Sequence, residues 1–319
     1  MPSEGLPGIA ALDSSHRAQI CAVIVTYNIG EAIHRCFDSV HSQVGHIVIV
    51  DNGSDESTRR ELNRLAAYDS VTFILNERNE GIARAYNQAV EWARGKGFHW
   101  ILTLDHDSEA TPGMVDKLVQ AYATLQRQGI QNVGLVGANP FDQNAELFLL
   151  DYPSTEGSGM PLEEGELISS GSLIKSQVFD AIGFFNEELF TYYVDDDFCL
   201  RLRRGGFRVF RCREALLLHK EGSKEARKFL WRKAYYDHYG KHARYYLTRN
   251  TFYMMKRHDL SLHYIAMMVR RLCMDHVKIL LYERERFSVL WFSLKGLMDA
   301  FRGRFGPLNS VKTTTPRDA

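Results

Sequence analysis

Two carboxylates one residue apart close an apolar run in "WILTLDHDSEATP", where Asp105 and Asp107 flank His106. Burying an unpaired carboxylate is costly, so a strand ending in two of them must deliver them to solvent, a metal or a substrate at its carboxyl edge. There the pair suits a hard divalent cation. One carboxylate is enough to hold Mg2+ or Mn2+ when phosphate oxygens and water complete the shell, and such a cation would help a diphosphate depart as a leaving group. Asp107 is assigned to the metal and Asp105 to a shared role in which a ribose hydroxyl is its main contact. The tripeptide alone is common in surface loops, and its place after an apolar run gives it weight. His219, in "LLLHKEGSKEA", also follows an apolar run. It is a further candidate for the metal or the diphosphate, against the commoner structural part of a lone histidine.

A second acidic cluster lies in "YYVDDDFCLRLRRGGFRVF". Acidic residues favour a helix start, but capping does not account for three in succession. Crowded like charges raise a carboxylate's pKa, which suits a general base taking a proton from a sugar hydroxyl, and Asp195 is the choice. Asp197 is placed to cap the helix or contact an acceptor from the same turn.

Three more segments carry polar residues to strand ends or helix starts. Asp51-Asn52-Gly53 follows "HIVIV", with Asp51 able to accept a hydrogen bond from a base imide N–H and Gly53 permitting the turn. A plain Asx turn is the alternative. Thr26-Tyr27-Asn28 ends the first strand in the same manner, and two adjacent polar strand ends favour a ligand crevice. Asn79-Glu80-Gly81 opens a helix carrying Ala83, Arg84 and Asn87, where small residues let phosphates approach free N–H groups, ordinary capping being the alternative.

These positions need a scaffold. The runs "ICAVIVTY", "HIVIVDNGS", "VTFILN", "HWILTLDHD" and "VGLVGA" alternate with helical spacing near 31–42, 56–67, 81–94 and 112–128. Short buried strands alternating with helices predict an α/β fold on a mostly parallel sheet, whose ligands gather beyond the strand carboxyl ends. "LISSGSLI" reads as extended, with helices expected near 175–182 and 195–205 and a short strand at "FRVFR". From 224 onward the pattern predicts almost continuous helix, with Trp231, Tyr235, Tyr236, Tyr239, Tyr245 and Tyr246 among Lys and Arg. Residues 19–222 are expected to form the catalytic domain and 223–319 a basic, aromatic helical region. Residues 1–18 read as a loose tail.

The net charge is zero, but unevenly spread: residues 1–223 carry 19 basic and 31 acidic side chains, residues 224–310 carry 18 and 7. A basic, aromatic C-terminal region suits an anionic membrane surface or nucleic acid. No nucleic-acid module is recognisable, so no nucleic-acid partner is expected. Ile265, Met268, Leu272 and Ile279 share a helical face, a stripe that usually marks core or contact between copies of the chain in a homo-oligomer. The segment "WFSLKGLMDAFRGRFG" instead fits an interfacial helix on anionic lipid. Five scattered cysteines without a CxxC pair argue against zinc and a disulfide framework. With neither a signal-peptide pattern nor an apolar run of membrane-spanning length, a cytoplasmic location is expected, peripheral on the inner face of the membrane.

Taken in order, "VIVTYN", "IVIVDNGSDES", "NEGIARAYNQAV", "ILTLDHDSEATP", "ISSGSLI", "VDDDFCLRLRRGGFRV", "LLLHKEGS" and "YYLTRNTFYMMKRH" resemble glycosyltransferase family 2, which has the GT-A fold, and its bacterial rhamnosyltransferase-like branch. The resemblance spans roughly residues 20–305. It implies an inverting, metal-dependent transferase building bacterial surface polysaccharide such as O-antigen, with Mg2+ or Mn2+, a nucleotide sugar such as dTDP-rhamnose, and a glycan or polyprenol-linked glycan acceptor. By the same resemblance Asp51 recognises the base, with Thr26, Tyr27, Asn28, Asn52, Gly53, Asn79, Gly81, Arg84 and Asp105 around the nucleotide. The resemblance further implies that Asp105 and Asp107 form the metal and nucleotide motif and that Asp195 is the catalytic base; beside it, His219 is expected as a secondary metal ligand and Ser170, Gly171, Asp196 and Asp197 at the acceptor. Many relatives have Glu-Asp at the base where this chain has Val194-Asp195, so the glutamate's supporting part is lost. Rival readings are another nucleotide sugar such as a UDP-sugar, a non-catalytic nucleotide-sugar binder, and a phosphatase using Asp105 as nucleophile, which Ser108-Glu109 after the pair disfavour.

Overall fold

The computed structural model describes residues 14–143, 147–148, 160–219, 224–229, 232–237 and 239–308. Packing divides them into two units. The first takes residues up to 79 together with 85–184 and 199–219, and the second takes 80–84, 185–198 and the described residues from 224 onward.

The first unit opens with α1 (Ser14–Arg17), β1 (Ile20–Thr26), α2 (Ile33–Val40), β2 (His46–Asp51), α3 (Glu56–Leu65) and β3 (Val71–Leu75). The chain then returns through α4 (Ile82–Gly95) to β4 (Trp100–Asp105), the two-residue β5 (Glu109–Ala110), α5 (Met114–Arg127) and β6 (Val133–Asp142). Short strands β7 (Leu147–Phe148), β8 (Leu162–Glu163) and β9 (Ser172–Lys175) lead to α6 (Val178–Ile182), α7 (Val194–Arg204) and β10 (Arg208–His219). The sheet order is β3-β2-β1-β4-β9-β6-β10-β5. β3, β2, β1 and β4 run parallel, β9 is antiparallel to both β4 and β6, and β6 and β10 are parallel again. The order reverses between β1 and β4, because β2 and β3 were laid on one side of β1 before α4 carried the chain to the other. At such a switch point the flanking loops diverge and leave a crevice beyond the strand carboxyl ends.

Every residue of β1 is buried. Ile20, Ala22 and Ile24 join a core with Ile33, Cys36, Phe37 and Val40 of α2 and with Met114, Val115 and Leu118 of α5. The alternate residues Cys21, Val23 and Val25 are as deeply buried on the opposite face. Both faces are covered, which is why these runs read as continuously apolar. "FRVFR" extends further than expected: a bulge after Arg211 restores pairing at Leu216, so β10 reaches His219. Within the segment expected to be a loose tail, Ser14–Arg17 form a helical turn, and Arg17 pairs with both carboxylate oxygens of Asp116 at 3.1 and 2.5 Å.

The second unit departs from the expectation of near-continuous helix after 224. An antiparallel hairpin of β11 (Lys224–Phe229) and β12 (Arg232–Asp237) precedes α8 (Lys241–Arg257), α9 (Leu262–Tyr282) and α10 (Arg286–Phe301). "KEARKF" and "RKAYYD" have aromatic and basic residues at either helical or alternating spacing, so periodicity does not separate the two. Trp231 and the side chains of Tyr235 and Tyr236 lie outside the described residues. Tyr245 and Tyr246 are buried in α8 instead of forming a wet aromatic surface. α8 and α10 pack closely enough that a Cβ on Gly296 would stand 2.3 Å from the Tyr245 carbonyl oxygen. Gly296→Ala therefore forces the helices apart and should cost about 1–3 kcal/mol in denaturant unfolding. Gly95→Ala, where a Cβ meets open space, should be neutral or slightly stabilising.

Candidate active site

Asp105 is the last residue of β4, and β5 begins two residues after Asp107. β5 pairs antiparallel with β10, Glu109 opposite Leu218 and Ala110 opposite Leu217. This pairing brings His219, over a hundred residues away in sequence, beside the acidic pair. Ligand atoms of Asp105, Asp107 and His219 all lie within 4.8 Å of one another, and His219 Nδ1 is 3.9 Å from Asp107 Oδ1.

A hydrogen-bond chain fixes the cluster from behind. Tyr86 OH donates to Asp105 Oδ1 at 2.9 Å, and the Asp105 N–H donates to Ser170 Oγ at 3.0 Å. Ser170 donates to Ser108 Oγ at 2.8 Å, and Ser108 Oγ lies 2.9 Å from His219 Nδ1. The tautomer with Nδ1–H donating to Ser108 leaves the lone pair on Nε2, the form a metal-binding histidine needs. Desolvation raises the Asp105 pKa, partly opposed by His219 and reinforced by Asp107. His106, between the two aspartates, points back to β1, its Nδ1 3.1 Å from the Val25 carbonyl.

The neighbouring strand ends form a polar crevice, but not with every side chain open. The Asp51 carboxylate is wholly buried: Thr26 Oγ1 donates to one oxygen at 3.2 Å, and the Ser54 N–H reaches the other at 3.3 Å. Arg59 Nε lies 3.6 Å from that second oxygen. In this arrangement Asp51 braces β1 against β2 and closes a turn, and it offers no open acceptor to a base. Gly53 is needed there, since its φ of +77° and a Cβ 2.5 Å from the Arg78 backbone exclude a side chain. Asn52 joins Asn79 at 3.1 Å and Asn76 at 3.2 Å, while Asn28 accepts from the Asp55 N–H at 2.8 Å. Tyr27 is 45% exposed, so its ring is available for stacking.

Ser170 and Gly171, expected at the acceptor, stand behind the metal cluster. Ser170 is buried and committed to Asp105 and Ser108, and Gly171 takes φ +78° with a Cβ 2.9 Å from Ala138. The Ser170 hydroxyl and the Gly171 N–H, which donates to the Thr103 carbonyl at 2.8 Å, support the end of β4.

In the second unit, Asp195 and Asp196 are half-buried in the first turn of α7. Asp197, expected to cap the helix or contact an acceptor, is buried against His258 Nε2 at 2.9 Å, with both side chains 3% exposed. Gly81 has φ +90°, and the Ile82 N–H donates to the Phe190 carbonyl at 2.8 Å. That first N–H of α4 is therefore used inside the protein and not held open for a phosphate. Arg84 pairs with Glu187 at 3.2 Å.

Just before Asp195 the backbone is strained. Phe190, Tyr192 and Tyr193 have φ of +66°, +59° and +62°, and the Thr191 N–H closes a tight turn on the Leu189 carbonyl at 2.8 Å. Arg249 and Asn250 of α8 hold this segment. Arg249, fully buried, donates to the Glu188 and Leu189 carbonyls at 2.9 and 2.8 Å and lies over the Tyr246 ring. Burial lowers its pKa. Asn250 Nδ2 reaches the carbonyls of Leu189, Thr191 and Tyr192 at 2.7–3.0 Å. Tyr246 also stacks on Phe190, with ring centroids 4.9 Å apart.

Residues 21–179 match the model of glycosyl transferase family 2. A dTDP-rhamnosyl transferase, RfbF of Shigella flexneri, is 28% identical over 263 residues, covering 77% of this chain and 82% of that protein. The chain belongs to glycosyl transferase family 2. Its fold is GT-A, the fold of two solved structures at a TM-score of 0.53. One is GalNAc-T7 with UDP, GalNAc and Mn2+, 16% identical, covering 63% of this chain and 44% of that one. The other is Staphylococcus aureus TarS 1-349 in complex with UDP-GlcNAc, 14% identical, covering 89% and 81%.

For a family 2 glycosyltransferase, the parts that sequence reasoning did not assign are supporting ones. Tyr86 carried a signal, as the one large residue among Ala83, Ala85, Ala89 and Ala93 on a buried helix. Arg249 and Asn250 carried none beyond their place in "YYLTRNTF". Tyr86→Phe should leave the fold intact and weaken Mn2+ binding roughly tenfold, read by titration calorimetry, because it frees Asp105 from its orienting hydroxyl. Asp107→Asn should lower it further.

Proposed function

We propose that this protein transfers a sugar from a nucleotide donor to a hydroxyl of a glycan or lipid-linked glycan, with rhamnose from dTDP-rhamnose as the leading donor. The cluster of Asp105, Asp107 and His219 beyond β4 carries the proposal, since it brings together donors able to hold a cation at the switch point of the sheet, where a nucleotide is proposed to bind. Similarity to RfbF supports the choice of rhamnose. A bacterial surface polysaccharide such as O-antigen is the proposed product, made at the inner face of the cytoplasmic membrane.

A Mg2+ or Mn2+ held by Asp107, Asp105 and His219 would supply charge neutralisation to the departing diphosphate. The protein's own residues do the rest. Tyr86 and Ser170 hold Asp105 at the end of β4, within reach of Asp107 and His219. Tyr27 is proposed to stack on the base, and Asn28, Asn52 and Asn79 to line the nucleotide crevice. Asp51 would meet the base only after the half-exposed Arg59 side chain swings away. Asp195 takes the proton from the acceptor hydroxyl at Oδ. The acceptor oxygen then attacks the anomeric carbon from the face opposite the leaving group, the bond from that carbon to the diphosphate oxygen breaks, and the configuration inverts. Asp197 of the same turn pairs with His258, and Asp195 and Asp196 are the residues proposed to meet the acceptor.

Asp195→Asn should reduce transfer by about a thousandfold or more while donor affinity changes little, measured by product formation and by nucleotide titration. Transfer that survives this change would remove Asp195 from the role. Excess chelator should abolish transfer, and added Mn2+ or Mg2+ should restore it. A donor screen across dTDP-, UDP- and GDP-sugars decides the sugar: turnover of a UDP-sugar alone would replace rhamnose with the second donor class.

A further inference from the structure

The solvent-facing sides of α9 and α10 are apolar. On α9, Met267, Val269, Met274, Val277, Leu280 and Leu281 are 42–53% exposed. At about 100° per residue they span one broad arc on the side away from the buried Met268 and Ile279. On α10, Phe287, Trp291, Leu294 and Phe301 are 46–79% exposed, opposite the buried Val289, Ser293 and Gly296. His276 of α9 bonds Ser293 of α10 at 2.8 Å through their inner sides, so neither helix covers the other's apolar arc. An exposed apolar surface of this extent marks an interaction site.

Charge says what covers it. Arg270 falls within the apolar arc of α9, and Arg271 and Lys278 flank it. Among the described residues these three, with Arg284 and Lys295, form no ion pair. Each helix has a single acidic residue, and both are turned inward, Asp275 to Arg244 at 2.8 Å and Asp299 to the Tyr245 hydroxyl at 2.9 Å. A symmetric pairing of this face with a second copy would set arginine against arginine, with the one carboxylate of each helix turned inward and unable to neutralise them. A layer of lipid phosphates neutralises them while the acyl boundary takes up the leucines, methionines and aromatics. No helix among the described residues is long and apolar enough to cross a membrane. We propose that the outward faces of α9 and α10 are a docking surface for an anionic lipid bilayer, with the helices lying in its plane. The use of that contact, meeting a lipid-linked acceptor, rests on the proposed transfer reaction; the surface itself does not.

Vesicle flotation of the full chain tests the proposal, with phosphatidylcholine vesicles compared against vesicles containing phosphatidylglycerol. Binding is expected to the anionic vesicles. Phe287→Ser with Trp291→Ser should weaken it at least roughly tenfold, and Arg270→Gln with Arg271→Gln should weaken it by a similar factor and remove the preference for phosphatidylglycerol. Circular dichroism melts confirm that the variants fold. Equal binding to both vesicle types, no binding, or a sedimentation-defined dimer that the Phe287 and Trp291 changes dissolve would overturn the proposal, the last by giving the face to a second copy. Nucleotide titration without vesicles separates the two ideas. Nucleotide binding without vesicle binding defeats the docking surface alone, and the converse defeats the transferase reading alone.

Discussion

The cost of holding two carboxylates at the end of a strand buried on both faces organises the first unit. Asp105 and Asp107 repel each other, and desolvation favours the neutral form of Asp105. The fold offsets this with a hydroxyl from Tyr86, an amide anchored on Ser170, and an imidazole delivered by the extended end of β10. The β5–β10 pairing and the bulge in β10 bring the last of these into place. What remains is negative charge aimed at one point, which is what a divalent cation neutralises.

A different constraint shapes the second unit. Three aromatic residues with positive φ ahead of Asp195 would relax if released, and a buried guanidinium and a carboxamide hold the segment through the carbonyls of Glu188, Leu189, Thr191 and Tyr192. Burying Arg249 is costly, and its cluster of carbonyl acceptors and the Tyr246 ring compensates for the lost water. The basic, aromatic composition of α8 thus has an internal purpose, while that of α9 and α10 faces outward. One compositional signal covered two physical situations.

The outward faces of α9 and α10 also reverse the usual pattern of a surface helix. Met268 and Ile279 bury a narrow stripe, yet the wider arc remains apolar. For such a surface to persist in water it needs a partner, and the inward turn of Asp275 and Asp299 leaves that partner to supply negative charge.

The sequence by itself determined the parallel core and the acidic strand end. Apolar runs such as "ICAVIVTY" and helical spacing between them are local patterns, and a polar pair after such a run has few places to go. It also marked Asp107 and His219 as candidates for one metal, though not that they meet. Only the tertiary structure decided that. Their meeting depends on a two-residue strand pairing with the far end of β10, a long-range event that leaves no periodicity. The same holds for Asp51 and Asp197: the sequence left a ligand contact and a local turn or cap open for each, and the partners Thr26, Ser54 and His258 appear only in the tertiary structure. Burial of a polar group is set by which distant residues arrive beside it, and the hairpin after 224 was decided by strand pairing where residue spacing fitted helix equally well.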